Sequence, residues 1–117
     1  MEVAAFQNSL KVCRYIVKNN SDQIFWNNNS SVTKILIVAA FKGHTKSYKI
    51  IMAKVADKNP AAYGGTPLHY AACMGRLDMC KVILENVNDK NPVDNNGKTP
   101  KDIAKEYNEH EIVKLFS

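Results

Sequence analysis

Apolar and polar positions along the chain fall into blocks that repeat. Each block has a short apolar stretch with a pair of small residues, a glycine or asparagine, and then a second apolar stretch. The best formed is Gly65-Thr66-Pro67-Leu68-His69-Tyr70-Ala71-Ala72-Cys73-Met74-Gly75. Thr66 is a natural helix N-cap, with a hydroxyl able to accept from a first-turn amide. Pro67 follows at the first helical position, where a missing N–H costs nothing. Ala71 and Ala72 keep one face thin enough for another helix to approach closely. Gly75 ends the helix by entering the left-handed conformation without a Cβ clash. The pattern predicts a helix of about two turns, built to be stacked upon.

The same stretch recurs. Thr99-Pro100-Lys101-Asp102-Ile103-Ala104 lies one block later, Lys34-Ile35-Leu36-Ile37-Val38-Ala39-Ala40 one block earlier, and Val3-Ala4-Ala5-Phe6 earlier still. The helix-stop column reads Asn8, Gly43, Gly75, Asn108, the two residue types that best tolerate a left-handed stop. A second helix follows each stop, and its columns also agree: Arg14/Lys49/Lys81/Lys114, then Tyr15/Ile50/Val82/Leu115, then Ile16/Ile51/Ile83/Phe116. Asp57-Lys58-Asn59-Pro60 returns as Asp89-Lys90-Asn91-Pro92.

A tandem repeat of about 33 residues with a Thr-Pro-Leu-His-x-Ala start resembles the ankyrin-repeat family. The resemblance runs from about Val3 to Phe116 and implies an all-α solenoid of stacked helix–turn–helix units with hairpin tips, about 3.5–4 repeats in one domain over residues 1–117. The expected units are about 1–28, truncated at its start, then 29–59, 60–91 and 92–117. The second is the most diverged, with Lys34-Ile35 in place of Thr-Pro and Ile37 in place of His. The last has the marks of a C-terminal cap: Lys101, Asp102 and Lys105 turn one face polar where no further repeat covers it.

Composition narrows the classes. A 117-residue chain with 45% hydrophobic and 23% charged residues is an ordinary single globular domain. Its longest apolar run, Ile35 to Phe41, falls well short of the about 20 residues that span a bilayer, and the N-terminus lacks a signal-peptide pattern. Three cysteines do not make a disulfide framework. Cys13 and Cys80 share a column two repeats apart, on the order of 20 Å by helix packing distances, where a disulfide needs Cα atoms within about 7 Å. A reducing compartment, cytoplasmic or nuclear, is the expectation. The net charge of +5 admits an alternative reading, a basic module docking nucleic acid or another polyanion. Against it, the Arg14/Lys49/Lys81/Lys114 column falls where the family commonly carries solvated lysines.

No catalytic constellation is present, and no metal or cofactor is expected. His69 stands where the family's histidine bonds within the turn network, and no His or Cys is set at a zinc spacing. Gly64-Gly65-Thr66 lacks the spacing and the following Lys of a phosphate loop. What remains is a surface for another protein, with no small-molecule substrate and no membrane insertion. The resemblance implies that the turn tips and the outer ends of the first helices line a concave face. Carried onto this sequence, the helix positions are Phe6/Gln7, Phe41/Lys42, Cys73/Met74 and Glu106/Tyr107. The tip positions are Ser31/Thr33, Ala62/Tyr63/Gly65 and Asn95/Asn96/Lys98. Phe6, Phe41, Tyr63, Met74 and Tyr107 would give that face an aromatic and Met strip of the kind that anchors interfaces.

The start of the chain sets a separate expectation. Val3, Ala4, Ala5, Val12 and Ile16 resemble interior positions, so the first unit would expose an apolar face. Three covers suit it: Ile24-Phe25-Trp26 folding back as a lid, a second copy stacked end to end, or further sequence upstream.

Overall fold

Cap and stop residues set the helix lengths. The computed structural model describes residues 30–55 and 59–116. Among them are α1 (Ser30–Lys42), α2 (Thr45–Met52), α3 (Pro67–Cys73), α4 (Leu77–Asn86), α5 (Pro100–Glu106) and α6 (His110–Leu115). They form three successive helix pairs, with one isolated bridge, Ala62 to Gly65, as the only extended pairing among the described residues. The first unit with Ala4-Ala5 and Phe6/Gln7, Cys13, the Ile24-Phe25-Trp26 segment, the self-stacking face and Asp57-Lys58 lie outside the described residues.

The stops take one form three times. Gly43, Gly75 and Asn108 have φ of +76°, +68° and +58°. After each, one N–H reaches back to the alanine column: His44 to Ala39 at 2.9 Å, Arg76 to Ala71 at 2.9 Å and Glu109 to Ala104 at 2.8 Å. Gly43, Gly75 and Asn108 themselves donate to Ala40, Ala72 and Lys105. Both bonds together are a Schellman closure, which satisfies carbonyls that the helix end would leave orphaned.

The starts differ from unit to unit. At α3, the Thr66 N–H donates to His69 Nδ1 at 3.2 Å and the hydroxyl lies 2.8 Å from the same nitrogen, a capping box with the imidazole at its third position. At α5, Asp102 takes that place: its carboxylate accepts from the Thr99 N–H at 3.0 Å, and its own N–H donates to the Thr99 hydroxyl at 3.2 Å. The sequence reading of Lys101-Asp102 as only a polar ending thus missed a working cap. At α1, Lys34-Ile35 supplies neither a cap nor a proline, and the helix extends back to Ser30. Ser31 and Thr33, expected at a turn tip, are therefore helical. Proline in α3 and α5 fixes the first turn, whereas nothing at Lys34-Ile35 forbids another.

The core is one continuous cluster along the stack. The first helices pack on one another more extensively than the second ones do. Ala39, Ala40, Ala71, Ala72 and Ala104 are all fully buried, so α1, α3 and α5 meet through small side chains. Leu36 and Leu68 fill one side of that contact. Tyr48, Ile51, Met79, Cys80, Ile83 and Ile112 fill the layer between first and second helices. Full burial of an aliphatic side chain contributes about 1.5–3 kcal/mol each. Lys49, Lys81 and Lys114 point outward from the second helices.

The alanine contact leaves no room for a larger side chain. Ala71→Leu is expected to destabilise by about 1–3 kcal/mol, read as a lowered melting temperature by circular dichroism. A melt equal to the parent's would mean that α3 does not face its neighbours through this column.

Candidate functional site

Two tips beside the first helices build the site. In the first, Ala62 and Gly65 exchange backbone hydrogen bonds of 3.0 and 3.2 Å across Tyr63-Gly64. Tyr63 has φ +54° and Gly64 φ +86°, the two left-handed residues of a type I′ turn. Such a turn favours Asn-Gly, so a tyrosine in its first position is unusual. The Tyr70 hydroxyl, rising from α3, donates to the Tyr63 carbonyl. Burial holds the Tyr70 phenol above its ordinary value, helped by Cys73 and Asp94. Lys34 Nζ sits 5.9 Å from the centre of the Tyr63 ring.

The second tip is organised by Asp94. Its Oδ1 accepts from the N–H groups of Asn96 (2.8 Å) and Lys98 (2.9 Å), while Gly97, at φ +74°, donates to the Asp94 carbonyl. The Lys98 N–H, more than any other group, holds the Asp94 carboxyl below its ordinary value. Two bonds fasten this tip to the previous unit. The Asn95 N–H donates to the Gly64 carbonyl at 2.9 Å, and His69 Nε2 lies 2.8 Å from the Lys98 carbonyl. Because the Thr66 N–H makes Nδ1 an acceptor, the ring proton belongs on Nε2, which donates to Lys98. One imidazole thereby joins its own helix start to the next tip.

Between the tips and the ends of α3 and α5 lies an open groove of about 470 Å³. Tyr63, Asn95, Asn96 and Lys98 contribute its tip side; Cys73, Glu106 and Tyr107 contribute its helix side. Lys98 and Glu106 form an ion pair, their side chains 41% and 46% exposed. That pairing raises the Lys98 amine above its ordinary value. A hydrogen bond with the Cys73 side chain does the same for the Tyr107 phenol.

Three further candidate positions, Phe41, Lys42 and Met74, lie outside the groove. Phe41 is 39% exposed with its ring centroid 6.5 Å from that of Tyr70, tilted by 59°. Lys42 is exposed at the end of α1, and Met74 is 40% exposed just past α3. Phe41 and Tyr70 therefore continue the aromatic line from the groove towards α1. Tyr70, Asp94 and Ile103 line the groove and were not among the sequence candidates. The signal for Tyr70 and Ile103 was available: their column reads Val38/Tyr70/Ile103 and changes with every copy.

Among the described residues, no group of three or more His, Cys, Asp or Glu is placed to hold a metal ion, and no helix is long and apolar enough to cross a membrane. Burial, with Glu109 a lesser cause, pushes the Cys80 thiol up to about 12, far from a reactive thiolate. The groove offers hydrogen-bonding groups, aromatic faces and a solvent-exposed ion pair.

The family model for ankyrin repeats (3 copies) matches residues 1–94 and again residues 36–117. The chain belongs to the ankyrin-repeat family. Members of this family are generally protein–protein interaction modules rather than enzymes. A comparison with curated proteins found no match.

The Asp94 tip carries a pH signature. Its carboxyl is depressed in the folded chain, so its contribution is complete above the ordinary carboxylate range and is lost as pH falls through the depressed value. Asp94→Asn keeps an acceptor but no charge. The parent is expected to melt higher than this variant above about pH 5, with the gap closing on acidification. A gap that is constant with pH in thermal melts would remove the charge from this account.

Proposed function

We propose that the chain binds another protein, without catalysis, through the concave face made by its tips and the outer ends of its first helices. The observation that carries this reading is Tyr63. A bulky side chain in the left-handed region costs about 1–2 kcal/mol relative to the residues that favour it, and the ring is 59% exposed. Its contact with Lys34 returns only about 0.5–1 kcal/mol at an exposed site. The fold thus carries an exposed aromatic residue that its own turn disfavours, a pattern associated with functional surfaces. Phe41, Met74 and Tyr107 extend the same exposed apolar character along the first-helix ends. Aromatic and Met side chains are enriched at interface centres, where a few anchors supply most of the affinity. Cys73, Asn95, Asn96, Lys98, Glu106 and Lys42 surround these anchors as polar contacts.

The experiment compares immobilised parent chain, a Tyr63→Ala/Met74→Ala variant and a Lys49→Ala/Lys81→Ala variant against one cell lysate, with captured proteins quantified. The first variant is expected to lose the parent's captured set while melting within about 0.5 kcal/mol of the parent, as surface substitutions do. The lysine variant should keep the set. Loss through the lysines, with capture falling steeply against log[salt], would replace this reading by polyanion docking. As a separate check, Tyr63→Asn is expected to hold or raise stability by up to about 1 kcal/mol while weakening capture.

A further inference from the structure

We infer that the groove between the two tips receives an arginine side chain from an extended segment of the partner protein, with Glu106 as its carboxylate. This deepens the proposed binding reading and rests on it. The charges lining the groove are Asp94, Glu106 and Lys98, an acidic excess on a chain whose net charge is +5. Three tyrosines, 63, 70 and 107, line the same space and offer aromatic faces to a cation. Lys34 over the Tyr63 ring shows a cation already held that way on this surface.

Glu106 is the carboxylate best placed to change partners. Asp94 spends Oδ1 on the two backbone N–H groups that shape its tip, so it cannot turn without loosening the loop. Glu106 makes only the exposed pair with Lys98, and an exposed ion pair contributes little to stability. It also stands in the last turn of α5, where a helix end disfavours an anion. The Lys98 side chain is dispensable to the fold, because its tip and His69 contacts use backbone N–H and carbonyl. Lys98 therefore acts as an internal placeholder for an incoming cation. Arginine suits the site better than lysine: its planar fork can engage a carboxylate through two bonds while stacking on an aromatic face. Asn95 and Asn96 at the rim carry side-chain amides that can bond the backbone of an extended segment.

The test uses the full chain, labelled with nitrogen-15, titrated with N-acetyl-Ala-Arg-Ala-amide, its citrulline counterpart and its glutamate counterpart. The arginine peptide is expected to shift the amides of Tyr63, Asn95, Glu106 and Tyr107, and the neutral citrulline peptide to shift them far less. Glu106→Gln should weaken the arginine peptide by about tenfold. Lys98→Ala should tighten it by about two- to threefold, because a competing cation is removed. A basic or anion-binding groove predicts the opposite sign for Lys98→Ala. Equal shifts from citrulline, preference for the glutamate peptide, or weaker binding after Lys98→Ala would each overturn the proposal. Protein capture lost through Tyr63 and Met74 but unchanged by Glu106→Gln would retire the arginine site and leave the binding face standing.

Discussion

Everything else in this chain depends on how closely its first helices approach. Alanine in that contact brings α1, α3 and α5 together through small side chains, and Ala39, Ala40, Ala71, Ala72 and Ala104 are all buried. No unit can cover its own apolar face, so burial is completed only by the next unit. The close approach also fixes the spacing of the tips, which lie at the starts of α3 and α5. That is why a backbone bond can run from Asn95 to Gly64 and an imidazole can reach from His69 to the next tip. The geometry of the groove is thus inherited from the alanine contact.

The three helix starts show what happens when one part of this arrangement changes. His69 serves two neighbours at once, closing its own cap and holding the following tip. Asp102 closes a cap equally well but serves only its own helix, and its carboxyl is held below the ordinary range by the Thr99 N–H and hydroxyl. Ile37 does neither. It is buried, and α1 gains its order from length and apolar packing instead of from capping. The loss of a cap in one unit is offset within the core, since helix stability in proteins comes mainly from packing of the apolar face.

The stacking layer was legible in the sequence because it repeats. The alanines, the Gly or Asn stops and the outward lysine column each recur in every unit, and all follow local rules of helix geometry. The tip positions Ala62/Tyr63/Gly65 and Asn95/Asn96/Lys98 came from the family resemblance instead, and they fall in the Ala62–Gly65 turn and the Asp94 loop. The extension of α1 was not visible, because missing Thr-Pro removes a start signal without indicating where the helix begins instead. Nor was the groove's chemistry. The Lys98–Glu106 pair and the influence of Cys73 on Tyr107 link residues that share no column, so periodicity is silent about them. Tyr70 is harder to single out because it sits between His69 and Ala71, within the best-formed helix start of the chain.

Regular columns and varying columns therefore do different work. The columns that agree between copies are the packing positions, the Gly or Asn stops and the outward lysines, and they build the stack. The columns that change, Val38/Tyr70/Ile103, Phe41/Cys73/Glu106 and Lys42/Met74/Tyr107, include the residues around the groove. Two of these surface features run against local preference: Tyr63 in a left-handed turn position and Glu106 in the last turn of a helix. Neither conflict reaches the core, because both side chains are exposed and the backbone bonds around them remain complete. A scaffold whose stability resides in one set of columns can tolerate such departures in the other. The side chains on this surface can then change while the stack beneath them stays the same.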